Sequence, residues 1–241
     1  MTERLNILIV DDNLIYRKFL ARVIQDIDGV EIVSPAATGA IALKRMQRSP
    51  VDLVLLDLQM PEMNGLETLH RIRRDHPEVG VIMISGEFAP DADVVVKALQ
   101  QGALDFLPKA PMDTGNTVLA LRKHLGTLLH QFQGRRNLNR ARQISSRRTG
   151  RPLPADPRQA RVEPPAPLPF PASTRVQPGR IDVVVIGAST GGPNALSEVI
   201  PRLPGDLGVP ILVVQHMPSF LTCSLAKSLN DKSALQVHEA V

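Results

Sequence analysis

The pattern that most limits the fold is a regular alternation of short apolar segments with amphipathic segments through residues 1–133. The apolar segments have the length of buried strands, and the segments between them repeat apolar residues at helical spacing. We predict strands at 5–10, 30–36, 52–56, 81–85 and 104–107, and helices at 14–27, 40–47, 65–74, 92–101 and 113–132. Continuous apolar strands joined by helices predict an α/β domain with a five-stranded parallel sheet covered on both faces.

Acidic residues follow two of the predicted strands. Asp11 and Asp12 come directly after the first strand, and Asp57 comes directly after the third. The carboxyl ends of parallel strands meet at one edge of the sheet, which is where such proteins bind ligands. Carboxylates about 4 Å apart repel by roughly 4 kcal/mol at an effective dielectric of 20, so the cluster favours a bound cation. Oxygen ligands at a phosphate-handling site suit Mg²⁺.

A hydroxyl and an ammonium group are expected at the same edge. Ser85 ends the fourth strand and Lys109 follows the fifth. A carboxylate nucleophile, a metal ion, a lysine and a hydroxyl are together the components for accepting a phosphoryl group on Asp57. Acidic residues that are merely solvated at strand ends are the alternative interpretation of each residue taken singly.

The sequence around these residues resembles the receiver domain of two-component response regulators. The resemblance lies in the segments 10–12, 55–65, 85–86 and 102–109. It implies a flavodoxin-like sheet of strand order 2-1-3-4-5 and phosphorylation of Asp57 by a histidine kinase. It also implies that Mg²⁺ is held by Asp11, Asp12, Asp57 and the backbone carbonyl of Gln59.

Two further residues match positions that move on phosphorylation in that family. Ser85 matches the hydroxyl position and Phe106 matches the aromatic position, while Lys109 matches the lysine that supports the phosphoryl group. The sequence departs from the family at Ala110-Pro111, where proline usually follows the lysine directly. This difference concerns only the geometry of the loop.

Residues 134–180 differ from both flanking segments in charge and in proline content. They contain 11 Lys+Arg against 2 Asp+Glu, a net charge of +9, whereas residues 1–133 (14 against 17) carry −3 and residues 181–241 (3 against 5) carry −2. The segment is also rich in proline, and this composition predicts a disordered linker that cannot bury enough apolar surface to fold. Nucleic-acid binding by the arginines is not expected, because Phe170 is the only aromatic residue available for stacking.

The remaining composition limits the location of the protein and the kinds of site it can form. No apolar segment approaches the roughly 20 residues that a membrane span needs, and residues 1–10 have no signal-peptide pattern. We therefore expect a cytoplasmic protein without membrane insertion. Cys223 is the only cysteine, which excludes an internal disulfide and a multi-cysteine zinc site.

A serine lies in a glycine-rich turn after the linker. Residues 182–186 predict a buried strand, residues 187–191 match the pattern G-x-S-x-G, and a helix is predicted at 194–203. Such a turn exposes the hydroxyl of Ser189 near backbone N–H groups that can hold an oxyanion. A glycine-rich turn between strand and helix also cradles nucleotide phosphates, so a nucleotide-binding enzyme remains open at this point.

A histidine follows the next apolar segment. Residues 210–215 predict a strand, and His216 lies at its carboxyl end. If a right-handed crossover makes the two strands neighbours, Ser189 and His216 emerge at the same edge of the sheet. A serine nucleophile needs such an imidazole to accept its proton, so this placement favours ester hydrolysis over nucleotide binding.

These segments, behind a receiver and a proline-rich linker, resemble the CheB family of chemotaxis protein-glutamate methylesterases. The resemblance lies in residues 185–193 and 214–218. It implies hydrolysis of glutamate methyl esters on the cytoplasmic domains of chemoreceptors, often with glutamine deamidation, and no cofactor for this reaction. Ser189 would be the nucleophile, His216 the general base and then acid, and Thr190 a neighbour lining the oxyanion region. A chemotaxis histidine kinase would be the phosphodonor, and the unphosphorylated receiver would cover and block the esterase.

The third member of the family's catalytic triad, an aspartate, has no counterpart here. Asp206 and Asp231 occupy no matching motif, and the sequence ends as a third strand begins at 235–238. We therefore expect residues 181–241 to be the N-terminal portion of a methylesterase domain, with hydrolysis impaired by C-terminal truncation.

Two other function classes were compared with this interpretation. A receiver module that accepts phosphate and binds partners without esterase activity remains the alternative. A DNA-binding response regulator is disfavoured, because residues 181–241 carry net −2 and begin with a strand pattern rather than a helix-turn-helix.

Overall fold

The computed structural model describes residues 4–86, 91–109, 115–149 and 181–240. The described residues form two units, called the first unit (residues 4–149) and the second unit (residues 181–240). In the first unit, five parallel strands form a sheet of order β2-β1-β3-β4-β5, as the sequence predicts. The strands are β1 (Leu5–Val10), β2 (Val30–Ala36), β3 (Leu53–Asp57), β4 (Gly80–Ser85) and β5 (Asp105–Pro108). The helices are α1 (Leu14–Gln25), α2 (Gly39–Met46), α3 (Gly65–Asp75), α4 (Ala92–Gln100) and α5 (Gly115–Thr149).

Alternate residues of the central strands bury their side chains on opposite faces of this sheet. Ile7, Ile9 and Leu55 belong to a buried apolar cluster shared with α1 and α5. Leu8 and Leu56 belong to a second cluster on the other face, which contains residues of α2, α3 and α4. Burial of each such side chain contributes about 1.5–3 kcal/mol relative to exposure, so the two-sided covering holds the strand ends in fixed positions.

The end of α5 differs from the sequence prediction. The predicted helix ends at residue 132, and residues 134–180 were predicted to be a disordered linker, but the helix continues to Thr149. No proline lies between Gly115, where α5 begins, and Pro152. The arginines of this stretch are good helix formers. Arg136 also forms an ion pair with Asp52, in which a guanidinium nitrogen lies 2.6 Å from Oδ1 of the carboxylate. This ion pair ties the helix to the start of β3. Residues 150–180 of the predicted linker lie outside the described residues.

The second unit contains two parallel strands and two α-helices. The elements are β6 (Val184–Ala188), α6 (Gly192–Val199), a short 3₁₀ helix (Ile200–Arg202), β7 (Ile211–Gln215) and α7 (Ser219–Asn230). Strands β6 and β7 pair directly, with Ala188 opposite Gln215.

The third strand predicted at 235–238 does not form, so this prediction is wrong. The N–H of Val237 donates to Oδ1 of Asn230 at 2.9 Å instead of to a neighbouring strand. Leu235 and Val237 pack against the buried apolar cluster that includes Leu225 and Leu229 of α7. Residues 235–238 thus use their apolar side chains to cover α7 rather than to extend the sheet.

The two units share one apolar cluster. Leu196 of α6 and Leu221 of α7 belong to the same buried cluster as Val95 and Leu99 of α4. The amide oxygen of Gln100 accepts hydrogen bonds from Ser228 Oγ at 3.0 Å and Lys232 Nζ at 2.6 Å. The second unit therefore packs against the α4 side of the first.

None of the helices in the described part of the chain combines the length and hydropathy needed to cross a membrane.

Candidate functional site

Asp11 and Asp57 lie side by side at the carboxyl edge of the first sheet. Asp57 is the last residue of β3, Asp11 follows β1, and the register between these neighbouring strands pairs Val10 with Leu56. Both aspartates are buried, with 0% and 1% of their surfaces exposed, whereas Asp12 is exposed. Carboxylate oxygens of the three residues all lie within 4.8 Å of one another. The structure therefore brings together the three acidic residues selected from the sequence, in a cluster that could hold a metal ion.

Lys109 bridges the two buried aspartates. Its Nζ lies 2.8 Å from Oδ2 of Asp57 and 2.8 Å from Oδ2 of Asp11. Burial alone would lower the pKa of Lys109, but its hydrogen bonds to the two carboxylates outweigh that effect and raise the pKa above its usual value. The ammonium also lies 5.0 Å from the centre of the Tyr16 ring, a cation–π contact. A single ammonium cannot neutralise three carboxylates, so the cluster retains an attraction for a further cation.

The environment of Asp57 raises the pKa of its carboxyl group from 3.8 to about 6. Burial is the main cause, because it removes water from the charged form, and the negative charge of Asp11 adds to it. The hydrogen bonds from Lys109 Nζ, at 2.8 Å, and from the N–H of Gln59, at 3.3 Å, act in the opposite direction. The hydrogen bond to Asp57 thus fixes the position of the Gln59 N–H. The carbonyl of Gln59 belongs to the same loop beside Asp57.

Ser85 and Phe106 lie on the two strands that follow Asp57 across the sheet. Ser85 ends β4, is buried, and its carbonyl accepts a hydrogen bond from the N–H of Lys109. Phe106 of β5 is buried, and its ring meets that of Phe220 edge-to-face, with ring centres 6.3 Å apart. Phe220 belongs to α7, so this aromatic pair joins the sheet edge that holds Asp57 to the second unit.

Residues that the sequence analysis missed support the acidic pair. The N–H of Asn13 donates to Oδ1 of Asp11 at 2.8 Å, and a guanidinium N–H of Arg17 donates to the Asp11 carbonyl. Asn13 also caps α1 by accepting from the N–H groups of Ile15 and Tyr16. An asparagine directly before an amphipathic helix is the signal that could have identified this cap, which turns the chain sharply after Asp12.

Ser189 and His216 emerge at one edge of the second sheet. Ser189 follows Ala188, the last residue of β6, and His216 follows Gln215, the last residue of β7. The N–H of His216 donates to the carbonyl of Ala188 at 2.9 Å, so the pairing of the strands continues to the edge. Both Ser189 and His216 are exposed. The strand ends that carry Ser189 and His216 are therefore neighbours, as expected from a right-handed crossover.

The turn after Ser189 is built by glycines. Gly191 has a φ of 77°, a left-handed conformation that favours glycine. The N–H of Gly192 donates to the carbonyl of Ser189 at 2.7 Å, which closes the turn, and α6 begins at Gly192 with Pro193 in its first turn. The turn thus leads from the strand into the N-terminus of α6, whose positive dipole end favours negative charge.

Thr190 and the Ser189 turn contact the first unit. The hydroxyl of Thr190 lies 3.3 Å from Oδ2 of Asp105 and 3.2 Å from Oε1 of Gln131, and its single proton can be donated to either. The N–H of Gly191 donates to the carbonyl of Leu104 at 3.0 Å. A cleft of about 460 Å³ opens at this junction and is lined by Ile82, Leu104, Asp105, Leu128, His130, Gln131, Phe132, Gly134, Ser189 and Thr190. Ser189 therefore faces a cleft with walls from both units.

Asp206 and Asp231 do not lie at the edge that carries His216. Asp206 precedes β7, which places it toward the amino end of that strand. Asp231 follows the last residue of α7, and this helix begins just beyond His216 and carries the chain away from it. Neither aspartate is positioned as an acidic partner of the histidine, in agreement with the absence of a matching motif around them.

Two protein-family models match the chain. The model described as the response regulator receiver domain matches residues 7–121, and the model described as CheB methylesterase matches residues 184–241. These ranges correspond to the first unit and to the strands and helices of the second. They contain the acidic cluster and the Ser189–His216 edge, respectively.

Curated relatives align with nearly the whole chain. A protein-glutamate methylesterase/protein-glutamine glutaminase of Desulfotalea psychrophila is 38% identical over 241 residues, which are 99% of this chain and 64% of that protein. The protein of the same description from Bacillus subtilis is 36% identical over 236 residues, 98% of this chain and 62% of that protein. The chain thus spans less than two thirds of the length of these relatives. Among solved structures, the response regulator domain of Thermotoga maritima CheB is 27% identical with a TM-score of 0.49, covering 55% of this chain and 98% of that one.

Proposed function

We propose, from the matches to a response regulator receiver domain and to CheB methylesterase sequence, that this chain is a chemotaxis response regulator that hydrolyses glutamate methyl esters on chemoreceptors under control of phosphorylation at Asp57. A histidine kinase would supply the phosphoryl group, and the methylated cytoplasmic domains of chemoreceptors would be the substrate. The observation that carries the proposal is the placement of two reactive edges, the Asp57 cluster and the Ser189–His216 pair, in units that contact each other directly.

In the proposed phosphoryl transfer, an oxygen of Asp57 attacks the phosphorus of a phosphohistidine. An O–P bond forms as the N–P bond breaks, and the donor imidazole, already protonated on its other ring nitrogen, leaves as a neutral ring. Lys109, already 2.8 Å from Asp57, would pair with an oxygen of the transferred group, and the hydroxyl of Ser85 would donate to another.

The donor set of the acidic cluster fits Mg²⁺. Asp11, Asp12 and Asp57 offer carboxylate oxygens within 4.8 Å of one another, and hard oxygen ligands are those that Mg²⁺ prefers. The backbone carbonyl of Gln59 would be a fourth protein ligand. When bound, the ion would neutralise charge on the phosphoryl oxygens.

In the proposed hydrolysis, Oγ of Ser189 attacks the carbonyl carbon of a glutamate methyl ester while His216 accepts the hydroxyl proton. Collapse of the tetrahedral intermediate breaks the C–O bond, and His216 returns the proton to the departing methanol. A water molecule then attacks the acylated serine while His216 accepts its proton. His216 returns the proton to Oγ of Ser189 as the glutamate carboxylate departs. The N-terminus of α6 and the turn at Thr190 would stabilise the oxyanion, and the same attack on a glutamine side chain would release ammonia.

Regulation would act through the contact between the units. Phe106, on the strand beside Ser85, meets Phe220, and Asp105 meets Thr190 next to the nucleophile. We propose that this arrangement restricts access of a receptor helix to Ser189. Phosphorylation of Asp57 would move Ser85 and Phe106 and loosen the contact.

Two measurements on the purified chain test the proposal. Incubation with ³²P-labelled acetyl phosphate and Mg²⁺ should give a base-labile label that Asp57→Ala abolishes, whereas Asp28→Ala, an exposed aspartate, should retain it. Methanol release from methylated receptor fragments should require Ser189. Undiminished labelling of Asp57→Ala would contradict the assignment of the acceptor.

A receiver module without esterase activity is the second candidate function. It is favoured by the positions of Asp206 and Asp231 away from His216, because loss of the triad acid alone can lower kcat by about 10⁴. Phosphorylation of the chain without methanol release would support this candidate, and phosphate-dependent methanol release would refute it.

A further inference from the structure

The side chain of Gln215 links the two strand ends that carry Ser189 and His216. Gln215 is the last residue of β7. Its Nε2 donates to the main-chain carbonyl of Ser189 at 3.1 Å and to the main-chain carbonyl of His216 at 3.0 Å. One amide group therefore holds the backbones of both residues, beyond the last pair of the strand register, Ala188 with Gln215.

The hydrogen bond to Ser189 fixes the peptide group that follows the serine. The Ser189 carbonyl also accepts from the N–H of Gly192 at 2.7 Å, so two donors hold it. Because the peptide is planar and trans, the N–H of Thr190 must point away from that carbonyl. In serine turns of this kind, the N–H of the residue after the nucleophile donates to the oxyanion. Gln215 thereby fixes the direction of a donor as well as the backbone of the nucleophile.

The site is shaped to admit this glutamine. A Cβ added to Gly192 would lie 1.9 Å from Oε1 of Gln215 and 2.8 Å from its Cδ, so a larger residue at 192 would displace the side chain. Oε1 is buried and has no hydrogen-bond partner among the described residues. Rotation of the amide would place this oxygen against two carbonyl oxygens, so the amide keeps its orientation at the cost of an unpaired acceptor.

We propose that Gln215 is a positioning residue, which sets the geometry between Ser189 and His216 without touching the substrate. The proposal rests on the proposed esterase function, because only a reaction at Ser189 gives this geometry a catalytic consequence. A leucine at 215 would fill similar space without a donor, and a glutamate would place a carboxylate oxygen against the two carbonyls.

The test compares Gln215→Leu with Gln236→Leu in the full chain. Gln236 is an exposed glutamine of the same unit and serves as the matched control. Methanol release from methylated receptor fragments should show kcat lowered about 10- to 100-fold by Gln215→Leu, since small misplacements at a reacting centre can cost 10² in rate. KM should change less than about twofold, and Gln236→Leu should leave both constants unchanged.

Amide hydrogen exchange provides a readout that does not depend on activity. The N–H groups of Gly192 and His216 are hydrogen bonded at this edge, and Gln215→Leu should increase their exchange about tenfold without changing exchange in β3 of the first unit. If Gln215→Leu does not fold, Gln215→Met preserves the unbranched shape without the donor, and Gly192→Ala displaces the amide from outside.

The outcomes separate the two proposals. A wild-type chain that releases no methanol contradicts the esterase function, and the exchange of Gly192 and His216 then decides whether Gln215 holds the edge. Unchanged exchange in Gln215→Leu overturns the positioning role in every case. In an active wild-type chain, faster exchange with an unchanged kcat also overturns it.

Discussion

The sheet that carries Asp57 is covered by helices on both faces, whereas the sheet that carries Ser189 leaves one face exposed. Leu56, beside Asp57, is completely buried, but Val185 of β6 and Leu212 and Val214 of β7 are 63%, 58% and 66% exposed. The other face of the second sheet packs through Ile186 and Ala188 into the cluster shared with α4. The candidate site residues at similar strand ends are thus held by different means, by a complete core in the first unit and largely by contact with that core in the second.

This difference also separates the electrostatics of the two edges. Asp57 is buried at its strand end, and its pKa rises to about 6 because burial removes water from the carboxylate. Ser189 and His216 remain exposed at theirs. The first edge therefore stores unfavourable negative charge that a bound cation can relieve. At the second, the backbone turn and the Gln215 amide supply most of the organisation.

The strongest test of the comparison replaces matched leucines on the two sheets. Leu56→Ala should reduce the free energy of unfolding by about 2–5 kcal/mol, because it leaves a cavity in a closed core. Leu212→Ala should change it by less than about 0.5 kcal/mol, because the side chain is largely solvated. Urea unfolding monitored by circular dichroism gives both values. Equal losses would show that the exposed face of β7 is covered in solution.

Removal of the lysine tests whether the first edge is organised by charge. Lys109→Met should slow phosphoryl labelling from acetyl phosphate by about 10²–10³-fold, the usual effect of deleting one group that stabilises a transferring oxyanion. Lys232→Met, which removes an ammonium at the contact with Gln100, is the matched control and should label at the wild-type rate. A loss smaller than tenfold in Lys109→Met would argue against a direct role for this ammonium.

The stored charge predicts a variant that is more stable than the wild type. The pKa of Asp57 is about 6 in the folded protein against an ordinary 3.8. The native state therefore binds the proton of this carboxyl group more tightly than the unfolded state does. Its contribution to stability is therefore present at low pH and is lost as pH rises from about 4 to 6. Asp57→Asn should raise the free energy of unfolding at pH 7 by about 1–3 kcal/mol.

The measurement for Asp57→Asn is urea unfolding at several pH values with a chelator present. The advantage of the variant should vanish below about pH 4, where the wild-type carboxyl group is protonated in both states. Adding Mg²⁺ should stabilise the wild type more than the variant, because the variant lacks one carboxylate ligand. An advantage that persists at pH 3 would mean that charge is not its cause.

The aromatic contact between the units should give the smallest effect. Phe220→Ala removes the edge-to-face pair with Phe106, an interaction that contributes about 0.5–1.5 kcal/mol beyond area burial. Amide exchange in α7 should increase while exchange in β1 stays unchanged. Phe19→Ala, which removes the ring packed against Tyr16 at 5.6 Å, tests an aromatic pair inside the first unit and should leave exchange in α7 unchanged.

The parts of the fold that could be predicted are those where local pattern and burial coincide. The strand ends that carry Asp57 and Ser85 lie within a residue of their predicted positions, because apolar runs of this length can only be buried strands between helices. The parallel arrangement placed Asp11 and Asp57 at the same edge, and the strand order that the receiver resemblance implied made their strands neighbours. The pairing of Ser189 with His216 followed from the crossover rule.

Two errors arose where the local pattern was ambiguous. The last helix of the first unit was predicted to end at residue 132, but arginine and the absence of proline between Gly115 and Pro152 allow α5 to continue to Thr149. The alternation of apolar residues at 235–238 was interpreted as a strand, but a strand needs a neighbouring backbone, and here Asn230 takes the N–H of Val237. The second outcome depends on a neighbouring backbone and is not encoded in the segment itself.

The contacts between units could not be predicted from the sequence pattern. The contacts of the Thr190 hydroxyl with Asp105 and Gln131 join residues far apart in the sequence, and they depend on how two separately patterned units meet. The role of Gln215 was missed for a related reason. A polar residue that ends an apolar strand gives no sign of the carbonyl groups that its side chain will reach.

The continuous α5 also determines how freely the two units can separate. A helix of 35 residues is about 50 Å long at 1.5 Å per residue, so its last residue, Thr149, lies far from the sheet. The chain from Thr149 to Val184 can extend at most roughly 115–125 Å at 3.3–3.6 Å per residue, which is ample for the return. Because the two units are covalently joined within this reach, their local concentration stays near the millimolar range. Under the regulation proposed above, even a weak contact between the units would therefore re-form after each opening.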